Sequence, residues 1–205
     1  DVENSSNLQV RNNHFISPYQ QNRSNNNLIE NNIFDPVQRK EAGAAPIISN
    51  YGSGNIIRKN TVDGKSDGIY ENRLGFDDGI MIRNESNDLI EANSLKNFFD
   101  CGIETAEFIQ NTRIIGNNIK NAGICGIGGW YWNSWKGNTV SRNTVDTAPS
   151  FFVFFHAYGL RPQDEKVYFQ DNTFSNNIFL KSTGPSISAS GISAWFSMQN
   201  QDGGL

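Results

Sequence analysis

The sequence predicts an all-β solenoid of about seven stacked coils. Two observations carry that prediction. Asparagine makes up 29 of 205 residues, and a short phrase, apolar-x-x-Asn-x-apolar, returns along the whole chain. Self-similarity of this kind is the signature of a repeat architecture. No helical i, i+3, i+4 stripe runs through the repeated segments.

The phrase opens as Val10…Asn13…Phe15 and returns as Ile29…Asn32…Phe34, Ile57…Asn60…Val62 and Ile90…Asn93…Leu95. It continues as Ile114…Asn117…Ile119, Val140…Asn143…Val145 and Phe169…Asn172…Phe174. Its asparagines are spaced by 19, 28, 33, 24, 26 and 29 residues. Irregular spacing around a fixed phrase means a constant rung joined by variable loops. The apolar members are β-branched or aromatic, as strands prefer. One phrase alone buries too little, whereas stacked copies bury a continuous column. The asparagine falls where the strand turns a corner. It is expected to take left-handed backbone there and to bond the amides above and below.

A second strand follows each corner. Asp78-Gly79-Ile80-Met81-Ile82 aligns with Cys101-Gly102-Ile103-Glu104-Thr105, and the next coil offers Cys125-Gly126-Ile127-Gly128-Gly129. Leu95 to Ile103 and Ile119 to Ile127 are both eight residues, so these two coils share a register. Coils of 24 and 26 residues suit three short strands each. The coils are expected over residues 1–181. The Ser/Gly-rich segment 182–205 is expected to be a degenerate last coil or a tail packed on the end.

Composition removes several functions. A net charge of −4 without clustered Lys or Arg argues against nucleic acid. No apolar run reaches the roughly 20 residues needed to span a bilayer. Two cysteines are too few for a disulfide scaffold. Cys101 and Cys125 fall in equivalent positions on successive coils. They read as stacked inward thiols behaving as small hydrophobes, with a disulfide as the alternative. The expected location is secreted or cell surface.

With the asparagine phrase in place, the chain resembles the right-handed parallel β-helix proteins, the pectate-lyase-like group, over roughly residues 7–180. That resemblance implies a right-handed single-stranded parallel β-helix. It also implies a carbohydrate-active protein: a polysaccharide lyase, hydrolase or uronate epimerase, or a non-catalytic adhesin or tailspike-like module. The fold does not choose among them. Asp77-Asp78 is similar to the Asp-Asp pair of polygalacturonase-like hydrolases, but their Gly-His-Gly and Arg-x-Lys are missing. The Asp-Pro-His-Asp of alginate epimerases is missing too, since Asp35-Pro36 continues with Val37-Gln38.

Alternation along the strands sorts candidate site residues. If Ile80, Ile103, Ile127 and Val153 point inward, Gly79, Gly102 and Gly126 form an outward glycine floor. Asp77, Asp100 and Glu104 then face out, with Arg83, Trp130 and His156 along the same face. Glycine in a strand often marks the close approach of a ligand. Asp77, Asp78, Asp100 and Glu104 form the leading catalytic cluster, through either of two chemistries. Two carboxyls can act as acid and base or nucleophile at a glycosidic bond. Alternatively, the carboxylates bind Ca²⁺, which acidifies a uronate proton for removal by a base. His156, Tyr158 and Arg161 are further acid–base candidates, with a satisfied structural role for His156 as the competing reading. Arg83, Trp130, Trp132, Lys65 and Arg73 are candidate polysaccharide contacts. The aromatic run 130–135 is either a sugar platform or a plug over apolar surface. The insertions 37–45 and 64–76 are groove walls or tolerated surface loops.

Overall fold

The computed structural model describes residues 1–37, 45–129, 133–156, 169–183 and 194–198. Almost all regular structure is β, and every strand pair is parallel. Successive coils add strands to three sheets, and in the ten-stranded sheet A two short extra strands, Ser134–Lys136 and Phe169–Gln170, continue beside the end of Cys101–Gln110. Sheet A runs through Val2–Glu3, Tyr19–Asn22, Ile47–Asn50, Ile80–Ser86, Cys101–Gln110, Cys125–Gly129, Ser150–His156 and Ala194–Met198. Sheets B and C hold seven strands each. Among the described residues the one helical element is a short 3₁₀ turn at Tyr70–Asn72, and no helix is long and apolar enough to cross a membrane.

The core is a set of vertical columns. Sheet B stacks Val10, Ile29, Ile57, Ile90, Ile114, Val140 and Phe174 in register. Sheet C stacks Phe15, Phe34, Val62, Leu95, Ile119, Val145 and Phe179. Sheet A stacks Ile47, Ile80, Ile103, Ile127 and Phe152. Each level adds side chains that only neighbouring coils can bury, so the strands are stable only when stacked.

Between sheets B and C the asparagines form one column. The backbone N–H of each of Asn13, Asn32, Asn60, Asn93, Asn117 and Asn143 donates to Oδ1 of the next member at 2.9–3.0 Å. The last member is Asn177, not Asn172. Asn172 belongs to a second column, at the corner between sheets A and B, through Asn27, Asn55, Asp88, Thr112 and Asn138. The two columns run five residues apart with similar flanks, so the final phrase was displaced by one corner and is correctly Phe174…Asn177…Phe179.

The left-handed residue is also not the ladder asparagine. It is the residue before it: Asn12, Asn31, Lys59, Ala92, Gly116, Arg142 and Asn176 have φ of 53–64°. The chain bends at that residue, which leaves the ladder side chain pointing into the coil.

Two further expectations of register fail. Phe152, not Val153, continues the inward column, because Ile127 pairs with Phe152 and Gly128 with Val153. The glycines at the start of the sheet A strands face inward. A Cβ on Gly79 would stand 2.8 Å from Phe98, on Gly102 2.3 Å from Ile119, and on Gly126 2.3 Å from Val145. Strict alternation breaks where sheet C turns into sheet A, so these glycines make room for core side chains rather than a ligand. Their neighbours Cys101 and Cys125 accordingly leave the main core. They pack with Val153 and Ile124 and are joined by a disulfide, with Cα atoms 4.7 Å apart. The reading of the two cysteines as free inward thiols is thereby corrected.

Candidate active site

The corner from sheet C into sheet A gathers four carboxyl groups. Asp77 and Asp78 lead into the strand Ile80–Ser86; one coil later Asp100 stands beside Asp77, and Glu104 lies farther along its strand. Asp100 N–H donates to Asp77 O at 2.8 Å, so the two lie on adjacent rungs. Glu104 pairs in register with Met81 on the outer face.

These carboxyls differ in exposure. Asp77, Asp100 and Glu104 are half-buried, whereas Asp78 is wholly enclosed. Asp78 Oδ1 accepts from Cys101 N–H at 3.1 Å, and its Oδ2 is buried with no donor group beside it, only the neighbouring Glu104 carboxyl acting on it. Asp77 Oδ1 is also buried without a partner. Burial, then the charge of Glu104, pushes the Asp77 carboxyl up to about 6, against an opposing pull from Arg73. Burial raises Asp78 well above the usual carboxylate range, helped by Glu104, Asp100 and Asp77. Like charges in a desolvated pocket cannot all ionise, so the cluster retains protons.

The insertion 64–76 forms the wall beside this cluster. Its 3₁₀ turn brings Tyr70 against Gly123 and Phe99. Arg73 lies over the Tyr70 ring at 4.2 Å and the Phe99 ring at 5.4 Å, close enough to act on Asp77. Lys65 is drawn elsewhere, into ion pairs with Asp35 and with Asp63, whose Oδ2 is 3.3 Å away. Asp63 also receives Lys96 at 3.2 Å and Asn97 at 2.9 Å. The structure therefore places Arg73 at the cluster and commits Lys65 to a charged patch on sheet C.

Farther along the sheet A strands, Arg83 lies between Asn50 and Ala106 in register. Its Nε is 4.0 Å from Glu107 Oε1, and Tyr51 OH donates to the same oxygen at 3.5 Å. Arg83 Nε and Asn50 Oδ1 are buried without hydrogen-bond partners. Among the described residues, every side-chain polar atom left in this condition lies on sheet A or on the segment entering it: Asn50, Asp77, Asp78 and Arg83. Buried polar atoms are nearly always paired, so their concentration on one face is a functional signal.

Trp130, Trp132, Tyr158 and Arg161 lie outside the described residues, as does most of the insertion 37–45. His156 ends the strand Ser150–His156, paired with Met198, and its side chain is likewise outside the description. Of the aromatic run, Trp135 is fully buried, donates from Nε1 to Thr105 Oγ1 at 3.0 Å, meets Phe152 edge-on and stacks near Phe169 and Phe174. That residue is core. Tyr70, Glu107, Tyr51 and Asn50 were missed. The one sequence signal for Tyr70 was its place three residues before Arg73 in an insertion.

A calcium ion does not suit the cluster. The closest ligand atoms, from Asp78, Asp100 and Cys101, lie within 4.8 Å of one another. Cys101 is spent in its disulfide, and burial raises the Asp78 carboxyl well above the usual range, while Ca²⁺ needs six to eight hard oxygen donors.

The family model for the right-handed beta helix region matches residues 1–174. Among solved structures, a candidate glycosyl hydrolase from Parabacteroides merdae is similar at 13% identity, covering 82% of each chain with a TM-score of 0.37. No curated protein matches the chain.

Proposed function

We propose, from the premise that the chain belongs to the right-handed β-helix family, that it is a polysaccharide-cleaving enzyme of the secreted or cell-surface kind, acting through the carboxyl cluster on sheet A. The observation that carries this reading is Asp77 Oδ1, buried without a partner in a cluster of four carboxyls that act on one another. Such groups cost stability wherever they occur, and they concentrate at functional sites.

Cleavage of a glycosidic bond needs one protonated carboxyl at the leaving oxygen and one ionised carboxyl as base or nucleophile. Asp77 suits the first role: it is partly accessible and keeps its proton to about pH 6. Glu104 and Asp100 are the accessible partners for the second. Asp78 is enclosed and touches no substrate. It is a positioning residue that holds its neighbours in a desolvated, proton-sharing set. Arg73 and Arg83, with the Tyr70 ring, offer contacts to a sugar chain beside the cluster. The disulfide Cys101–Cys125 favours an oxidising compartment.

The test is digestion of neutral and uronate polysaccharides by the full chain, followed for new reducing ends and for the ultraviolet absorbance of an unsaturated uronate. Reducing ends that disappear in Glu104→Gln and Asp100→Asn support hydrolysis. The absorbance would replace it with a lyase reading centred on Arg73. Binding to glycans without any product, unchanged by these substitutions, would leave a carbohydrate-binding module.

A further inference from the structure

A second pair of carboxyl groups lies inside the coil, away from the cluster, and the proposed reaction does not use it. Glu85 and Asp88 are 1% and 3% exposed. Asp88 stands in the second ladder column, where other coils place Asn27, Asn55, Asn138 and Asn172. Its Oδ1 does the work of an asparagine Oδ1, accepting Asn55 N–H at 2.8 Å. Its other oxygen takes the place of an amide nitrogen, where an asparagine would donate.

Glu85 lies beside it: Asn55 donates its backbone N–H to Asp88 Oδ1 at 2.8 Å and its side-chain amide to Glu85 Oε2 at 3.2 Å, so the two buried carboxyls are held against one residue. Glu85 accepts from three other groups, which leaves it one site for a proton shared with Asp88. Oε1 takes Ser49 Oγ at 2.8 Å, Oε2 takes Asn55 Nδ2 at 3.2 Å, and Gly52 N–H adds a third bond. Two adjacent carboxyls in a desolvated site cannot both ionise, so one of them keeps a proton. A protonated aspartic acid has nearly the shape of asparagine, with O–H in place of N–H.

The surroundings offer no charge to replace that proton. The groups facing the pair are Ser49, Gly52, Gly54 and Asn55 from the preceding coil and Thr112 from the following one, all uncharged. The next titratable group in the network is Tyr19. It is reached only through Gln21, which accepts from Tyr19 OH at 3.2 Å and donates to Ser49 at 2.8 Å. Burial pushes Tyr19 up to about 12, so it stays neutral.

We infer that Glu85 and Asp88 share a single proton and act as a pH-dependent clamp across the middle of the coil. With the proton, the ladder column is continuous through an aspartic acid that imitates asparagine. Without it, two negative charges face each other in the interior and the coils around Ile80–Ser86 loosen. The protein is thereby built to hold together in acid and to relax in alkali. Burial, then Glu85, pushes the Asp88 carboxyl up to about 9. The native chain keeps this proton where the unfolded chain has lost it. The stabilisation is complete below about pH 4 and is lost progressively as pH rises to about 9.

Thermal unfolding of the full chain between pH 5 and pH 10 tests the clamp against Asp88→Asn, which puts a permanent donor in the column. The wild-type melting temperature should fall relative to Asp88→Asn by roughly 3–5 °C per pH unit, flattening near pH 9. Glu85→Gln, whose amide can donate to an ionised Asp88, should flatten the wild-type dependence in the same way. Infrared spectra at pH 7 should lose one protonated-carboxyl band in Asp88→Asn, a reading that needs no unfolding. A difference between wild type and Asp88→Asn that stays constant with pH, or an unchanged carboxyl band, would overturn the inference.

Discussion

Asn117 donates both its backbone N–H and its side-chain amide to one oxygen, Asn143 Oδ1, at 2.9 and 3.0 Å. It receives the same pair of bonds from Asn93 and also donates to Ile90 O at 2.9 Å. Asn117→Ala therefore strands the Asn93 N–H and side-chain amide and the Ile90 carbonyl at once, each costing about 1–3 kcal/mol. The expected loss is about 3–5 kcal/mol, read as a lower urea midpoint. Asn118, the next residue, is exposed, and Asn118→Ala should cost under about 0.5 kcal/mol. Equal effects from the two substitutions would contradict the column.

Gly102 faces Ile119, and a Cβ there would stand 2.3 Å from a methyl group of the core. Gly102→Ala should destabilise by about 1–3 kcal/mol through overpacking. Adding Ile119→Val should recover part of that loss, since it trims the crowded side chain. If the glycine instead faced a ligand, the first substitution would spare stability and the second would cost more in its presence than alone.

The disulfide closes a loop with a sequence separation of 24. Chain entropy assigns such a crosslink about 3 kcal/mol. Cys125→Ser, or mild reduction, should lower the urea midpoint accordingly. Because Cys101 N–H holds Asp78 Oδ1, the same change should also weaken any activity of the carboxyl cluster.

Asp77, raised to about 6, sets the expected pH profile of cleavage. As proton donor it works in its protonated form, so the rate should fall about tenfold per pH unit above that value. Its contribution to stability has the same sign: it is whole below the ordinary carboxylate pKa and lost as pH rises through about 6. Asp77→Asn should abolish cleavage and remove this limb of the profile. A rate that climbs steadily from pH 6 to pH 9 would exclude Asp77 as the donor.

The first ladder was legible because one residue type repeats without exception between apolar partners. The second escaped notice because Asp88 and Thr112 interrupt it, and five-residue spacing let its Asn172 pass for a member of the first. Parity along a strand predicted the Ile80, Ile103, Ile127 column correctly, since Ile80 pairs with Ile103 and Ile103 with Ile127. It failed at Gly102 and Cys101, where the chain is turning a corner and successive side chains no longer alternate. The four carboxyls could be brought together from register alone. Tyr70 could not, because nothing in an inserted loop fixes the direction in which it folds back.

The ladder members are separated by 19, 28, 33, 24, 26 and 34 residues, yet every link is made. Length and linkage are thus independent variables in this molecule. A lineage can duplicate a whole storey, or graft new segments between storeys, without renegotiating the staircase that joins them. Innovation in such a scaffold is confined to the landings.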